Sequence, residues 1–272
     1  MTPGLTRHIT RSGRVAAAHG DVVLAALRGP DRFEPLVVTA IVRNEIANPQ
    51  RPPALDALLA AARCTAEARP PIQWQRRAEV PPVEIPVARS ACGRYHLASA
   101  AITDATGDGE DASGTMGITS VRGAFKNKRF PLELAQAIAD PKLRTINLAN
   151  GACKSQRVPQ ERGHLPGGRV RWYCTGDAAK IRALLSLVTH IGRGRADGIG
   201  AVARRASGEL AWLVEPTVPW GEGFPVVREG LPTRNLPEDH DGVDAARAPM
   251  GYACLTYPYW ELLREELVFL PA

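Results

Sequence analysis

The chain has 272 residues, 44% of them hydrophobic and 23% charged, which suits one large globular domain or two small ones. Its formal net charge of +6 favours polyanionic partners, with nucleic acid first among them. The five cysteines lie far apart without the paired Cys or His spacing of a zinc site, and no apolar run reaches the roughly eighteen residues of a membrane span. We therefore expect a cytoplasmic protein with reduced thiols and no membrane contact.

The first predicted elements are a strand and a helix. Residues 34–46, EPLVVTAIVRNEI, are β-branched and apolar on both faces, as in a strand buried within a sheet. A proline-rich breaker follows, and residues 54–68, ALDALLAAARCTAEA, then repeat leucine and alanine at helical spacing. Residues 81–87 and 94–103 predict two shorter strands.

Residues 122–171 carry the positive charge of the chain. They hold eleven Lys or Arg against three acids, a net charge of +8, whereas all other residues together sum to −2. A regional excess of this kind is what a docking surface for a polyanion requires. A solvated loop of mixed polarity is the alternative.

The next elements are a strand, a helix, a glycine-rich loop and a hairpin. Residues 168–177, GRVRWYCTGD, predict a strand whose final Asp177 caps the helix AAKIRALLSLVTHI, residues 178–191. The loop HIGRGRADGIGAV, residues 190–202, places four glycines and two arginines in thirteen residues. Residues 201–216, AVARRASGELAWLVEP, predict a hairpin that turns at Ser207-Gly208.

This glycine-rich loop differs from the nucleotide-binding loops. No lysine follows the glycines as in a P-loop, and the spacing GxGxxxGxG departs from the dinucleotide fingerprint GxGxxG. Nucleotide loops also run from a strand into a helix, so that the helix N-terminus meets the phosphate, whereas this one runs from a helix into a strand. Arg193, Arg195 and backbone N–H groups would have to hold a phosphate instead. A plain helix C-cap at Gly192 is the alternative.

The order strand, helix, two strands, basic insertion, strand, helix, loop, strand is that of a ferredoxin-like βαββαβ domain. In this context the glycine-rich loop resembles the G-rich loop of the RAMP superfamily of CRISPR-associated proteins. The stretches PLVVTAIVRNEI, LDALLAAA, RWYCTGD, LLSLVTHIGRGRADGIGAV and AWLVEP, between about residues 36 and 216, are similar to the RAMP subunit of type IV CRISPR effector complexes that occupies the crRNA 5′ end. The resemblance implies an α+β fold with an RRM-like sheet, a basic insertion and an irregular C-terminal extension.

The resemblance also implies a function. The chain would be a non-catalytic crRNA-binding subunit, without cofactor or metal, that holds the crRNA 5′ handle and docks on a backbone RAMP subunit and a large subunit, near the PAM of the target DNA. The glycines of the loop would permit close RNA approach, and basic and aromatic side chains would bind phosphates and bases. The expected RNA contacts are Gly192, Arg193, Gly194, Arg195, Gly198 and Gly200 in the loop, Lys126, Lys128 and Arg129 in the insertion, and Arg171 and Trp172 in the following strand.

Two other functions stay open. Some RAMP proteins are metal-independent endoribonucleases that use general acid–base groups, and the candidates here are His190, His164, His96 and Tyr95. Nothing in the sequence brings two of them together, and His190 could instead cap the last helical carbonyls. The third hypothesis is a cytosolic enzyme whose glycine-rich loop binds a nucleotide.

The predicted organisation has five parts. They are an N-terminal arm (1–30), the first part of the RRM-like core (31–121), a thumb-like basic insertion (122–171), the end of the core with the G-rich loop (172–216) and a C-terminal extension (217–272). The arm could touch RNA or be solvated. The acidic, proline-rich segment 229–244 could be disordered, contact a subunit or form an ordered lid.

Overall fold

The computed structural model describes residues 11–43, 46–48, 53–67, 83–103, 120–128, 156–165, 168–192, 200–255 and 265–271. Within these ranges the chain mixes helices with small antiparallel sheets. The helices are α1 (Arg11–Ala26), α2 (Leu55–Ala66) and α3 (Ala178–Leu185). The strands are β1 (Glu34–Val42), β2 (Ile46–Asn48), β3 (Ile102–Thr103), β4 (Ser120–Lys128), β5 (Gln156–Leu165), β6 (Gly168–Gly176), β7 (Trp212–Pro216), β8 (Val227–Arg228), β9 (Leu231–Pro232), β10 (Leu236–Pro237), β11 (Met250–Ala253) and β12 (Glu266–Phe269). No helix in the described ranges is long and apolar enough to span a membrane.

A four-stranded antiparallel sheet, in the order β3-β6-β1-β7, forms the centre of the fold. The strand predicted at 34–46 is confirmed as β1, which ends at Val42. The even-numbered residues 36–42 of β1 and 170–174 of β6, such as Val38 and Trp172, lie in the apolar core, and odd-numbered residues point to the opposite side. We call that opposite side, away from the helices, the open face.

The three helices cover the other face of the sheet and pack on one another. The helix predicted at 178–191 begins after Asp177, as expected, but ends at Leu185. It ends there because the backbone N–H groups of Leu187 and Val188 bond carbonyls only three residues back. Val23 of α1 lies in the same core. Residues 11–26 of the predicted N-terminal arm therefore form a helix that contacts the core through Val23.

The prediction of two strands at 81–87 and 94–103 is mostly wrong, since among the described residues 83–103 the only strand is Ile102–Thr103. The chain does run beside β6, where Ser99 N–H donates to the Tyr173 carbonyl. The neighbouring amides turn elsewhere: Ala100 N–H donates to Thr233 and Ala101 N–H to Pro53. Because one segment shares its hydrogen bonds among several partners, it forms isolated bridges and no continuous ladder.

Part of the basic insertion is a β-ribbon. β4 and β5 pair along their whole length, and β2 adds to the ribbon where Ile46 lies opposite Leu165. The third strand of the basic region, β6, belongs to the central sheet from Gly168 onward. The predicted boundary after residue 171 thus falls inside β6, and Arg169 and Arg171 are residues of the sheet.

The C-terminal extension was expected to be irregular, and its described part corrects this. It forms the β8–β9 hairpin and a three-stranded sheet in the order β10-β12-β11, over a second apolar cluster that includes Leu236, Val268 and Phe269. These strands have only two to four residues each, too few for an alternating pattern to stand out in sequence. Segment 229–244 is ordered within this part.

Arg234 ties the extension to the core of the molecule. It is 1% exposed, and its Nη2 donates to Oδ2 of Asp56 in α2 at 3.3 Å. Its guanidinium also donates to the carbonyls of His96, Ala98 and Leu255. A buried guanidinium needs this many acceptors to offset its lost hydration, so α2, segment 96–98 and the extension are held together around one charge.

Candidate nucleic-acid interface

The open face of the central sheet carries a line of polar and aromatic residues along β6. Arg169, Arg171 and Tyr173 alternate with the buried Val170 and Trp172. Arg169 is exposed, and the other two residues of the line are partly exposed. Because side chains two apart on a strand share a face, two arginines and a tyrosine follow one another across this face.

The two ends of the G-rich loop are held together at the edge of the core. Ile191 N–H donates to the Gly200 carbonyl at 2.8 Å, and Val202 N–H donates to the Thr189 carbonyl at 2.9 Å. Gly192 and Gly200 both adopt positive φ, 79° and 71°, which glycine tolerates without steric cost. These bonds hold the two flanks of the loop together, and Gly192 is not a helix C-cap, because α3 ends at Leu185 with Ser186 as its cap.

The last residues of the G-rich loop lie beside the last residue of β1, at one end of the open face. Val42, the last residue of β1, pairs with both Gly168 and Val202. The next residue, Arg43, is exposed and donates its backbone N–H to the Ala201 carbonyl at 3.0 Å. We call Arg43, Arg169 and Arg171 the basic end of the open face. The predicted contacts Arg193, Gly194, Arg195 and Gly198 lie outside the described residues.

Arginines on the β7 side are engaged with backbone. Arg182 of α3 donates to the Val214 carbonyl at 2.5 Å, and Arg205 donates to the Trp212 carbonyl at 3.0 Å. Alternation of the ladder turns these two carbonyls away from β1. Both guanidinium groups thus protect the free edge of the sheet.

The two lysines of the β4–β5 ribbon lie at the end of the ribbon away from β2. Ser120 is opposite His164, beside β2, whereas Lys126 and Lys128 are opposite Val158 and Gln156. Lys128 lies eight positions along β4 from Ser120, about 27 Å in an extended strand. Arg129 lies outside the described residues.

Trp172 corrects the expectation that its ring stacks on RNA. The side chain is 0% exposed, its Nε1 donates to the Pro53 carbonyl at 2.8 Å, and its ring packs 5.8 Å from that of Trp212. Its even position in β6 points it toward the helices, so it is a core residue and offers no surface to a base.

The neighbouring Tyr173 instead belongs to an aromatic cluster that the sequence did not indicate. Its ring centroid lies 4.3 Å from that of Trp220 and 6.1 Å from that of Phe224, and the latter two lie 4.6 Å apart. The Arg228 guanidinium stands 5.5 Å from the Trp220 ring. We call Tyr173, Trp220 and Phe224 the aromatic cluster. Aromatic residues close to glycines at 220–224 were the only sequence signal for it.

The candidate nuclease groups are only partly brought together. Tyr95 is buried and its hydroxyl pairs with His240 Nε2 at 2.8 Å, a partner that the sequence did not suggest. Burial raises the pKa of the Tyr95 phenol, which disfavours a base role. His96 is buried 3.8 Å from Asp56.

The remaining candidates lie apart from this pair. His190 contacts Thr189 Oγ1 at 2.9 Å at the base of the loop, and His164 lies in β5. No group of three or more His, Cys, Asp or Glu side chains among the described residues is placed to hold a metal ion.

Comparison with known proteins found a protein family to which the chain is similar. No curated protein matches it. The family model described as CRISPR type IV associated protein Csf3 matches residues 121–271, more than half of the chain. The match runs from the ribbon through the open-face strand β6 and the G-rich loop into the C-terminal extension, which the sequence resemblance had not covered. The chain therefore belongs to the Csf3 family of CRISPR type IV associated proteins.

Proposed function

We propose that this chain is the crRNA-binding subunit of a type IV CRISPR effector ribonucleoprotein, and that it holds the 5′ handle of the crRNA without cleaving it. The observation that carries the proposal is the basic end of the open face, where Arg43, Arg169 and Arg171 adjoin the closed base of the G-rich loop. Arginines bind phosphates through charge-assisted hydrogen bonds, and glycines allow close approach of a backbone.

The proposal includes a ferredoxin-like, RRM-like fold of the RAMP superfamily. Two observations support it. The chain order β1, α2, β3, β6, α3, β7 is the βαββαβ order, and the two central strands, β6 and β1, are antiparallel and flanked by β3 and β7. An RRM-like sheet presents its free face to single-stranded RNA, which agrees with arginines and a tyrosine on the open face.

The partners proposed are the crRNA, a backbone RAMP subunit and a large subunit, with target DNA near the PAM, in the cytoplasm. Membership of the Csf3 family supports a place in a type IV CRISPR complex. Lys126 and Lys128 lie at the end of the ribbon away from β2, which suits a second docking surface, for a neighbouring subunit and its RNA.

The experiment compares salt dependence of RNA binding in two charge-matched variants. For single strands the log–log slope of affinity against salt is about −0.7 per neutralised phosphate. Replacing Arg43 and Arg169 by alanine should flatten the slope by about 1.4 and weaken binding to the cognate repeat RNA. The control replaces Arg28 and Arg32, exposed residues before β1 at the opposite end of the strand, and should leave the slope nearly unchanged.

Equal effects of the two double variants would contradict the assignment of the basic end. Saturable dinucleotide binding with little RNA affinity would favour the nucleotide-binding enzyme. The same mixtures, incubated with EDTA, should leave the repeat RNA intact. Specific cleavage that is lost in His190→Ala or His164→Ala would show the endoribonuclease instead.

A further inference from the structure

The aromatic cluster stands on the open face, next to the basic end. Tyr173 follows Arg171 on the same side of β6, and the segment after β7 folds back so that Trp220 and Phe224 meet the tyrosine ring. The three rings meet at 73° to 78°, in edge contacts rather than face-to-face stacks. All three are partly exposed, unlike the fully buried Trp172.

Trp220 keeps part of its surface exposed. The guanidinium of the exposed Arg228 stands 5.5 Å from the centroid of the indole ring. The indole Nε1 donates to the Val227 carbonyl at 2.8 Å, so the orientation of the ring is set by the protein. An oriented, partly exposed indole needs little further ordering to receive another flat ring.

The charged residues around the aromatic cluster make its β6 side more favourable for a polyanion than its β7 side. Arg171 and Arg228 flank the cluster, whereas Glu215 of β7 lies on the row of Tyr173, beyond Val37 of β1. Glu222 is exposed in the turn between Trp220 and Phe224. Phosphates are therefore attracted toward β6 and repelled from β7, which directs a strand from the basic end along β6.

We propose that the aromatic cluster is a base-stacking subsite, in which an unpaired base of single-stranded RNA stacks on Trp220 while Arg171 and Arg228 hold the adjoining phosphates. The inference rests on the proposed function and extends it, because it assigns a base contact to residues of the C-terminal extension. Aromatic faces bind bases with little regard to sequence, and an arginine beside them adds cation–π and phosphate contacts.

The experiment separates base contacts from phosphate contacts. A short oligouridylate and an abasic ribose-phosphate oligonucleotide of the same length carry equal charge, but only the first has bases. The unchanged protein should bind the oligouridylate roughly five- to hundredfold more tightly, the range expected for stacking of one base. Trp220→Leu should remove this difference and leave the affinity for the abasic strand unchanged.

Two further variants control for folding and for loss of an exposed aromatic side chain. Trp220→Phe also loses the bond to Val227 but keeps an aromatic face, so it should retain most of the preference for bases. Phe33→Leu changes a ring that is 48% exposed before β1 and should have no effect. Thermal unfolding of each variant shows that the fold is kept.

The outcomes distinguish this inference from the proposed function. Equal loss of affinity for both oligonucleotides in Trp220→Leu would mean that the aromatic cluster only packs the extension onto the sheet, and would overturn the subsite. Equal affinity of the unchanged protein for both strands would also overturn the subsite alone. Binding of neither strand would overturn the proposed function and the subsite together.

Discussion

The glycines in and after the G-rich loop are required for different structural reasons. Gly200 has φ of 71°, and a Cβ there would lie 1.9 Å from the Ile191 carbonyl oxygen. That oxygen belongs to the segment bonded to residues 200–202, through Ile191 N–H to the Gly200 carbonyl and Val202 N–H to the Thr189 carbonyl, so it cannot move without opening the base of the loop. Gly208, in the turn of the following hairpin, has φ of 87° but open space around a Cβ. Gly200 is thus needed for close approach as well as for conformation.

Gly200→Ala is expected to destabilise the protein more than Gly208→Ala does. A positive φ alone costs a non-glycine residue about 1–2 kcal/mol, which is the expected loss for Gly208→Ala. Gly200→Ala adds a backbone clash, so its loss should exceed that of the control by about 1 kcal/mol or more. The free energies of unfolding in urea test this comparison, and equal losses in the two variants would contradict it.

Among the elements, α3 is the one whose start is most clearly specified. Asp177 accepts hydrogen bonds from the backbone N–H groups of Ala179 and Lys180 through Oδ1, and from that of Arg32 through Oδ2, all at 3.0 Å. The same carboxylate thus caps the helix and fixes the chain that enters β1. Lys180 continues this link, since its Nζ bonds Asp31 and the Gly29 carbonyl at 2.6 Å.

Asp177→Ala is expected to lower the free energy of unfolding by about 0.5–2 kcal/mol, as for other N-caps. Burial raises the pKa of the Asp177 carboxyl, but the backbone N–H groups of Lys180 and Arg32 outweigh burial, and the net pKa is lowered. The stabilisation is therefore complete above the unfolded-state pKa and is lost as the pH falls through the lower folded-state pKa.

Measuring the free energy of unfolding of the Asp177 variants between neutral and acidic pH tests both the predicted loss of stability and its pH dependence. Asp177→Asn can still cap but does not titrate, so it should lose less stability at neutral pH than the alanine variant. The gap between the unchanged protein and Asp177→Asn should close on acidification. A gap that is constant with pH would show that the carboxylate charge contributes nothing.

At the scale of the whole molecule, the extension and the core form one structure around Arg234. The guanidinium takes acceptors from α2, from segment 96–98 and from the chain just after β11, and it stands 5.4 Å from the Tyr95 ring. Residues widely separated in sequence therefore depend on one side chain. Thr233, the residue before Arg234, bonds the carbonyls of Pro225 and Val226, which links this site to the segment that carries Phe224.

Arg234→Met is expected to cost about 3–5 kcal/mol of unfolding free energy, because it removes one member of a buried ion pair and leaves carbonyls without this donor. Arg247→Met is the control, since Arg247 is an exposed arginine of the same extension, and it should stay within about 0.5 kcal/mol of the unchanged protein. Denaturant unfolding measures both variants. A small effect of Arg234→Met would mean that the extension folds independently of the core.

Several parts of this protein could be predicted from the sequence because their signals are local. The buried strand β1, the helix α2 and the cap of α3 follow from apolar periodicity and one capping residue, which depend only on neighbours along the chain. The regional positive charge and the helix-to-strand context of the G-rich loop are likewise properties of contiguous residues. The resemblance to a type IV CRISPR subunit also rests on contiguous stretches of sequence, and the match to the Csf3 family model agrees with it.

Tertiary structure decided which of these residues share a surface. Trp172 and Tyr173 look equally suited to stacking in the sequence, but the register of β6 buries the first and places the second on the open face. The roles of Trp220, Phe224 and Arg234 do not follow from their sequence neighbours, because they depend on partners up to 178 positions away. Local patterns determine elements, whereas the aromatic cluster and the buried charge arise only when distant segments pack against one another.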